Sequence, residues 1–422
     1  MEMKRMVVCF LKNMESVPVV PLMYNMSLSA GGALLANSLV KEFSKLFAKL
    51  RMQGTDMCKK SRSMIPQPMG VVTAAIYMII LFLFIPAPFY RWIYDSEPMF
   101  PYHRFVEFLS GVLSICSMIF LGFADDILNL KWRHKLLLPS IATLPLLMVY
   151  AVNSNSTSVA VPIQLQPIFG AVFNLGILYY AYIGMLAVFC TNAINIYAGI
   201  NGLEVGQSLV IALSIIAFNI IQILRLESQL SFHLFSLYFT VPYVFTSTVL
   251  LRWNWYPARV FVGDTFCYFS GMLFAVVGIL GHFSKTLLLF FMPQVLNFLL
   301  SLPQLFHVIP CPRHRLPKYD ESTDRLTYSV AQFKANELTQ FGSKTLSFFE
   351  KFGLVAVRKK IEGHETVLEC SNFTLINLAL KLFGPMHEKC LALLLISLQV
   401  VSSLFAFFLR FYLAKFFFNV VE

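Results

Sequence analysis

Long apolar runs recur along the whole chain, and they limit its fold more than any other feature of the sequence. A helix that crosses a lipid bilayer needs about 20 mostly apolar residues. The runs that meet this requirement are Pro18–Val40, Val71–Phe89, Phe105–Phe123, Lys135–Val152, Ile168–Cys190, Leu203–Leu224, His233–Leu251, Val260–Leu280, Thr286–Val308 and Leu391–Ala414. The sequence therefore predicts an all-α polytopic membrane protein with about ten transmembrane helices.

The composition agrees with this prediction. Hydrophobic residues make up 57% of the chain and charged residues 13%, about half the charged share of a soluble globular protein. The net charge of +11 would suggest nucleic acid in a soluble protein, but here Lys and Arg lie between the apolar runs. There they orient the chain in the bilayer and meet anionic ligands. We therefore expect the lipid bilayer, and no nucleic acid, as a partner.

Cysteines and the N-terminus narrow the class further. The eight cysteines are scattered and include no CxxC pair, so the sequence indicates neither a disulfide framework nor a zinc site. Residues Met1 to Asn13 lack the long apolar core of a cleavable signal peptide, and we expect none.

The loops between the runs differ in charge. Residues 41–62 contain seven Lys and Arg, whereas residues 151–168 contain none. Because basic loops remain in the cytosol, we expect the basic side to be cytosolic and both termini to lie on the opposite, luminal side. Asn155 and Asn372 both fit the N-glycosylation pattern, but this orientation makes only Asn155 luminal.

The stretch before the last run is the one sizeable soluble segment that we expect. Leu354–Arg358 and Thr366–Cys370 alternate in polarity, with Gly363 between them, which predicts a hairpin. We therefore divide the chain into a membrane domain (1–309), a small cytosolic α/β insertion that begins with an Arg-His-Arg loop (310–388), and a last transmembrane helix and tail (389–422).

Two adjacent carboxylates, Asp125 and Asp126, end an apolar run. They repel one another and are tolerated best beside a cation or a water-filled cavity. The alternative is a solvated helix end with Lys131 and Arg133 as its partners.

A second cluster contains Asn192 and Asn195, which are three positions apart and would share one helix face. Gly199 and Gly202 follow, which indicates a backbone that leaves the helix and approaches a ligand. The alternative is that the two Asn side chains join membrane helices.

A third cluster is built around Asp264, which lies alone in an apolar run. An unpaired carboxylate is costly there, which favours a metal ligand. The alternative is a structural ion pair with Arg259.

A fourth cluster is Arg313-His314-Arg315, after the ninth run. The planar forked donors of Arg suit a diphosphate, whereas the alternative is anchoring of the chain on the basic side. Mg²⁺ takes one or two protein ligands and completes its shell with water and phosphates, so Asn195 and Asp264 suit Mg²⁺. Together the four clusters indicate phosphoryl transfer.

Four segments carry a resemblance to a known family: FLGFADDILNLKWRHKLLLP, AVFCTNAINIYAGINGLEVGQSLV, NWYPARVFVGDTFCYFSGM and IPCPRHRLP. They resemble the eukaryotic UDP-N-acetylglucosamine–dolichyl-phosphate N-acetylglucosaminephosphotransferases of the polyprenyl-phosphate phosphosugar transferase superfamily. The resemblance runs from about residue 65 to the C-terminus and is poor over the first 50 residues.

The resemblance implies transfer of GlcNAc-1-phosphate from UDP-GlcNAc to dolichyl phosphate, with release of UMP. This is the first step of lipid-linked oligosaccharide assembly for N-glycosylation, on the cytosolic face of the endoplasmic reticulum membrane. It implies Mg²⁺ as cofactor, UDP-GlcNAc and dolichyl phosphate as partners, and leaves a homodimer open.

The resemblance also implies roles for individual residues. Those in the catalytic centre are Asp125, Asp126 and Lys135. Those that bind UDP-GlcNAc are Thr55, Asp56, Met57, Gln67, Asn201, Phe261, Arg313, His314 and Arg315. Those near dolichyl phosphate are Lys135, Val188, Phe189, Cys190, Thr191, Asn192, Ala193, Ile194, Asn195 and Ile196, and the metal ligands are Asn195 and Asp264.

Two positions depart from the family pattern. Thr55 stands where the family has Gln, and Gln67 stands where it usually has Glu. Because Gln still accepts hydrogen bonds, we keep Gln67 as a binding residue.

Simple acid–base chemistry bears on the mechanism. A phosphate monoester has a second pKa of about 6 and is mostly dianionic at cytosolic pH. The nucleophile therefore needs little deprotonation, and we favour electrostatic organisation over base catalysis by Asp125 or Asp126.

Three other functions remain open from the sequence. The first is a transferase for another nucleotide sugar or a shorter polyprenol. The second is a transporter, although transporters often show internal repeats and none is visible. The third is an inactive member of an assembly, which the substitutions at Thr55 and Gln67 keep open.

Overall fold

A computed structural model describes residues 19–94, 99–130, 132–153, 157–225, 229–362 and 365–418. Its helices are α1 (Val19–Lys49), α2 (Gly70–Phe84), α3 (Tyr90–Tyr94), α4 (Tyr102–Leu128), α5 (Trp132–Ala142), α6 (Leu144–Asn153), α7 (Gln166–Phe169), α8 (Ile177–Ile196), α9 (Leu203–Arg225), α10 (Leu230–Asn254), α11 (Gly263–Leu280), α12 (Ser284–Phe290), α13 (Met292–Leu305), α14 (Gln340–Lys351), α15 (Leu375–Phe383) and α16 (Glu388–Phe411). Its strands are β1 (Gln53–Thr55), β2 (Met64–Pro66), β3 (Ser158–Ala160), β4 (Val172–Asn174), β5 (Lys318–Asp320), β6 (Arg325–Thr327), β7 (Val330–Lys334), β8 (Val357–Glu362) and β9 (Glu365–Ser371).

The predicted class, an all-α polytopic membrane protein, is confirmed. Among the described residues, eight helices are long and apolar enough to cross a membrane, and nine if the bent pair α12 and α13 forms one span. The two axes of that pair differ by 72°. Pro293 lies at the start of α13, where its missing N–H interrupts the helical hydrogen bonds.

The predicted span Lys135–Val152 differs from the others. It is divided between α5 and α6, which meet at Thr143, and its apolar part is shorter than the other spans. Pro139 lies inside α5, and the Thr143 side chain donates to the Pro139 carbonyl over 2.6 Å. Proline in a helix and a Thr side chain that bonds back to the carbonyl four residues earlier both bend helices, and hydropathy alone does not predict such a bend.

The predicted span Ile168–Cys190 starts too early. The helix α8 begins at Ile177, and the residues before it form the short antiparallel pair β3–β4. Gly170 and Gly176 have φ values of +75° and +52°, which helices do not accommodate. The apolar residues of this stretch therefore belong to a hairpin and its turn.

Helix α11 lies at the centre of the bundle and packs against both α4 and α8. All its residues from Thr265 to Leu280 are buried. A Cβ atom at Gly271 would lie 2.4 Å from the carbonyl oxygen of Cys190, so glycine lets α8 approach the α11 backbone. This close packing brings the start of α11 beside the ends of α4 and α8.

The segment between α13 and α16 contains a three-stranded antiparallel sheet in the order β7-β9-β8. The pairing of β8 with β9 confirms a hairpin, but its first strand is Val357–Glu362 and not the predicted Leu354–Arg358. Gly363 itself lies outside the described residues. The segment is joined to α13 by hydrogen bonds from Ser301 to the Phe373 carbonyl (2.7 Å) and from Gln304 to the Asn372 side chain (2.9 Å). It is thus docked on the end of a span.

Candidate active site

The loops that join alternate helices meet at one end of the bundle. The loop after β2 is bound to the loop before α11, because the Phe261 amide donates to the Pro66 carbonyl and the Met69 amide donates to the Phe261 carbonyl, both over 2.9 Å. Helix α9 is bound to the end of α10, where the Gly202 amide donates to Asn254 over 3.1 Å. The polar clusters of the sequence therefore share one region.

Asp126 caps the N-terminus of α11. Its carboxylate accepts hydrogen bonds from the amides of Asp264 (2.7 Å) and Thr265 (2.9 Å), and from the Thr265 hydroxyl. Gly263 precedes them with φ of +78°, and a Cβ atom there would lie 2.7 Å from the Asp126 carboxylate. A carboxylate satisfies the free amides of a helix start, so Asp126 fixes the backbone of Asp264.

Lys135 joins two other carboxylates. Its Nζ lies 2.6 Å from Oδ2 of Asp264 and 2.9 Å from Oδ2 of Asp125. Two carboxylates within ion-pair distance favour the ammonium form of Lys135. Asp125 also accepts from the Tyr268 hydroxyl (2.9 Å) and the Leu130 amide (3.0 Å). Lys135 therefore stays charged beside Asp264.

Lys135, rather than Arg259, is the partner of Asp264. The Arg259 guanidinium lies over the Trp253 ring, 5.7 Å from its centre. The proposed partners of the two adjacent carboxylates, Lys131 and the Arg133 side chain, lie outside the part of the chain that the structure describes.

A cavity opens beside this ion pair. It is lined by eight of the residues to which the resemblance assigns a role: Thr55, Asp56, Met57, Gln67, Asn195, Asn201, Phe261 and Asp264. Gly199, from the second cluster, lines it as well. Asp125, Asp126 and Lys135 are not in its lining. Asp126 and Lys135 contact Asp264 instead, and Asp125 contacts Lys135. The structure thus brings together the first loop, the end of α8 and the start of α11.

The segment from Val188 to Ile196 forms the last turns of α8, and only Asn195 among its residues lines the cavity. Asn192 donates to the Val188 carbonyl (2.8 Å) and to the Thr191 hydroxyl (3.5 Å) of its own helix. These bonds stay within α8, whereas the alternative required bonds between two helices. Four further residues of this segment are buried in the bundle, namely Cys190, Thr191, Ala193 and Ile194, whereas Phe189 is half-buried.

Comparison with known proteins decides the family. The sequence pattern of glycosyl transferase family 4 matches residues 108–282, and that of the DPAGT1 insertion domain matches residues 328–372. The UDP-N-acetylglucosamine–dolichyl-phosphate N-acetylglucosaminephosphotransferase of Schizosaccharomyces pombe is 42% identical over 93% of each chain. The chain belongs to this phosphotransferase family. The Saccharomyces cerevisiae protein of the same name is 39% identical over 89% of this chain and 88% of its own length.

More distant relatives match only part of the chain. A phospho-N-acetylmuramoyl-pentapeptide-transferase of Clostridioides difficile is 30% identical over 37% of this chain and 47% of its own length. Its name describes a different phosphosugar. The phosphotransferase family is therefore certain from the near full-length relatives, whereas the shared core alone does not define the sugar.

In this member of the phosphotransferase family, the Arg-His-Arg loop lies beside the cavity. Leu316, the next residue, lines the cavity and packs on Gly199. Arg313 and His314 are exposed, whereas Nη1 of Arg315 is buried and has no hydrogen-bond partner among the described residues. Burial lowers the Arg315 pKa. The loop is held by Asn377, which donates to the Arg315 carbonyl over 3.0 Å.

The donor set beside Lys135 suits a divalent cation. Asn195 and Asp264 offer oxygen atoms to one cavity, and oxygen is the ligand that Mg²⁺ prefers. Ligand atoms of Asp56, Cys58 and Glu388 also lie within 4.8 Å of one another. That second group suits Mg²⁺ less well, because it includes a thiol and because Lys59 already contacts both of its carboxylates.

Sequence reasoning did not single out Lys59, Cys58 or Glu388. Glu388 is the first residue of α16, 187 positions from Asn201, and it accepts a hydrogen bond of 2.8 Å from the Asn201 amide. The one signal in the sequence was an acidic residue at the start of the last apolar run. Glu204 lies in the first turn of α9, and it accepts from the Gly199 amide over 3.1 Å.

Proposed function

We propose that this chain transfers GlcNAc-1-phosphate from UDP-GlcNAc to dolichyl phosphate, giving GlcNAc-diphospho-dolichol and UMP. One observation carries the proposal: Asp264 and Asn195 line a cavity together with the first loop, and Lys135 pairs with Asp264 over 2.6 Å. This arrangement offers charge and oxygen ligands to a diphosphate. The named activity of the near full-length relatives supports the choice of substrates.

The reaction needs one bond formed and one broken. A phosphate oxygen of dolichyl phosphate attacks the β-phosphorus of UDP-GlcNAc, and the bond from that phosphorus to the oxygen bridging the α-phosphate breaks. UMP leaves with the bonding electrons. Because the attacking phosphate is mostly dianionic at neutral pH, no proton has to be removed first.

The residues around Asp264 have separate tasks in this proposal. Lys135 attracts the anionic phosphates, while Asp125 orients Lys135 and Asp126 orients Asp264. Both of these carboxylates are engaged by hydrogen bonds, which supports positioning rather than proton transfer. Mg²⁺ held by Asn195 and Asp264 would neutralise charge on the diphosphate.

The other end of the cavity suits the nucleotide. Phe261 offers an apolar ring, and a Cβ atom at Gly54 would lie 3.0 Å from that ring and 2.6 Å from Oε1 of Gln67. Glycine therefore lets the first loop pack directly against Phe261 and Gln67. Arg315, whose Nη1 has no hydrogen-bond partner among the described residues, is suited to donate hydrogen bonds to the diphosphate or the sugar.

We also propose that the protein is located in the endoplasmic reticulum membrane with this cavity on the cytosolic face. The loop that includes β1 and β2 carries most of the seven Lys and Arg of residues 41–62, and basic loops remain cytosolic. The predicted luminal residues 151–168 carry none.

Purified protein, dolichyl phosphate, Mg²⁺ and UDP-GlcNAc should yield UMP and a lipid-linked GlcNAc. UDP-glucose and UDP-GalNAc, tested in parallel, should be poor donors, and the Asp264→Ala protein provides the inactive control. Release of UMP only with a different nucleotide sugar would overturn the substrate assignment. Accumulation of intact UDP-GlcNAc inside proteoliposomes without UMP release would favour a transporter.

A further inference from the structure

A buried polar cluster connects the first loop, the loop before α9 and the start of α16. Its members are Asp56, Lys59, Asn201 and Glu388, and both acidic side chains are 3% exposed. Lys59 Nζ contacts the Asp56 carboxylate and lies 3.8 Å from Oε2 of Glu388. One cation thus lies between two anions, which limits the cost of burying them.

Glu388 holds Asn201 through two contacts to one oxygen. The backbone amide of Asn201 donates to Oε1 of Glu388 over 2.8 Å, and Nδ2 of Asn201 donates to the same Oε1. Nδ2 also donates to Oδ2 of Asp56 over 3.3 Å. Because both carboxylates accept only, the nitrogen side of the carboxamide must face them.

The orientation leaves an acceptor free. Oδ1 of Asn201 is buried and has no hydrogen-bond partner among the described residues, and Asn201 and Glu388 both line the cavity. A buried acceptor without a donor costs free energy. A ligand N–H that enters the cavity would satisfy it.

We propose that Glu388 is a positioning residue that fixes the Asn201 carboxamide with its oxygen toward the base, and thereby selects uracil over cytosine. This inference rests on the proposed function, which supplies a uridine nucleotide. Uracil carries an imide N–H between two carbonyl groups, whereas cytosine has an unprotonated ring nitrogen at that place. The Asn201 oxygen, fixed by Glu388, accepts a hydrogen bond from the uracil N–H. The same oxygen repels the unprotonated ring nitrogen of cytosine.

The neutral variant Glu388→Gln tests the orientation directly. Its amide can donate to Oδ1 of Asn201, so the Asn201 carboxamide can turn and present Nδ2 to the base. We expect the wild type to bind UMP about 100-fold more tightly than CMP, since sites built to hydrogen-bond one group reject analogues that lack it. In Glu388→Gln the ratio should fall below about 10, through weaker UMP and stronger CMP binding.

The measurement is equilibrium binding of UMP and CMP to the full-length protein in detergent, which needs no transfer activity. Asn219→Ala is the matched control, because Asn219 is buried, bonds to Ser236 over 2.8 Å between α9 and α10, and lies about 24 Å along the helix from Leu203. It should leave the ratio unchanged. A general loss of stability would lower the affinity for both nucleotides alike.

A second variant covers the case in which Glu388→Gln does not fold. Asn201→Ala should reduce the UMP to CMP ratio to a similar value, and adding Glu388→Gln to it should change the ratio no further. A wild-type ratio in either folded single variant would overturn the inference. If the wild type itself binds neither nucleotide, the uridine nucleotide of the proposed function is wrong, and the positioning role proposed here is overturned with it.

Discussion

Nζ of Lys135 lies 2.6 Å from Oδ2 of Asp264, although the two residues are 129 positions apart in the chain. The contact forms because Asp126 caps the helix that begins beside Asp264, while Asp125 accepts from Lys135 on its other side. Asp125 and Asp126, which are neighbours at the end of α4, thus position Lys135 of α5 and Asp264 of α11. Lys135 therefore offsets only part of the negative charge of Asp264, because it also pairs with Asp125.

The first prediction concerns the charge of Asp264. Asp264→Ala should lower the rate of UMP release by a factor on the order of 10² to 10³, the usual effect of removing one preorganised electrostatic group. Asp264→Asn keeps an oxygen ligand but loses the charge, so it should be weak rather than inactive. Chelator should abolish wild-type activity, and added Mg²⁺ should restore it.

Full activity of Asp264→Ala in chelator would remove Asp264 from the metal site. Glu107→Gln is the matched control, because it also removes the charge of a half-buried carboxylate. Glu107 lies near the opposite end of α4, where it contacts Asn153 over 3.4 Å. Its substitution should leave the metal dependence of transfer unchanged.

The apolar runs predicted the class of fold because lipid requires each spanning segment to satisfy its own backbone hydrogen bonds. They did not predict the late start of α8 at Ile177 or the bend before Pro293, which depend on single Gly and Pro residues. Hydropathy averages over such residues. The alternating pattern predicted β9, where Leu368 and Cys370 are buried. It did not predict the bounds of β8, whose described residues are mostly exposed.

The candidate site was predictable where polar residues interrupt apolar runs, as at Asp264. The contribution of Glu388 was not predictable, because a carboxylate at the boundary of a span is usually a solvated residue at the start of a helix. Its burial and its contact with Asn201 depend on how α16 packs against α9. Such a contact exists only in the tertiary structure.

The second prediction concerns the cap made by Asp126. Asp126→Asn retains one acceptor oxygen for three donors, so the start of α11 should loosen. Charged hydrogen bonds and caps each contribute about 1 to 3 kcal/mol, and we expect a lower thermal midpoint in detergent together with about tenfold slower UMP release. Tryptophan fluorescence during heating and the UMP assay measure the two effects.

The Thr265 side chain provides the graded comparison. Thr265→Ser keeps the hydroxyl that donates to Asp126 and should behave almost as wild type. Thr265→Val removes only that donor and should be intermediate. If Asp126→Asn keeps the wild-type midpoint but loses all activity, Asp126 acts in the chemical step itself and not as a cap.

The third prediction concerns topology. Asn372 is 2% exposed, donates to Ser329 over 2.8 Å and accepts from Gln304, so an oligosaccharyltransferase could not reach it in the folded protein. Asn155 lies outside the described residues and stays the predicted acceptor. An endoglycosidase shift on gels should disappear in Asn155→Gln and survive in Asn372→Gln. The reverse pattern would overturn the proposed orientation in the membrane.

The fourth prediction concerns the forked donors of Arg315. Its buried Nη1 has no partner among the described residues, which suits a substrate phosphate. Lys keeps the charge but offers a point contact with a different reach. Arg315→Lys should therefore reduce turnover by a factor on the order of 10 to 100, as expected for losing one strong charged hydrogen bond. UMP release from purified protein measures the effect.

Anchoring on the basic side of the membrane makes the opposite prediction for the same variant. Topology depends on Lys and Arg alike, so under anchoring alone Arg315→Lys should have no effect on either activity or membrane insertion. Arg358→Lys is the matched control, because Arg358 is an exposed residue of β8 and its substitution should not change turnover under either hypothesis. Wild-type turnover in a normally inserted Arg315→Lys protein would remove this residue from the diphosphate site, whereas selective loss of turnover in that variant would assign its guanidinium to the substrate.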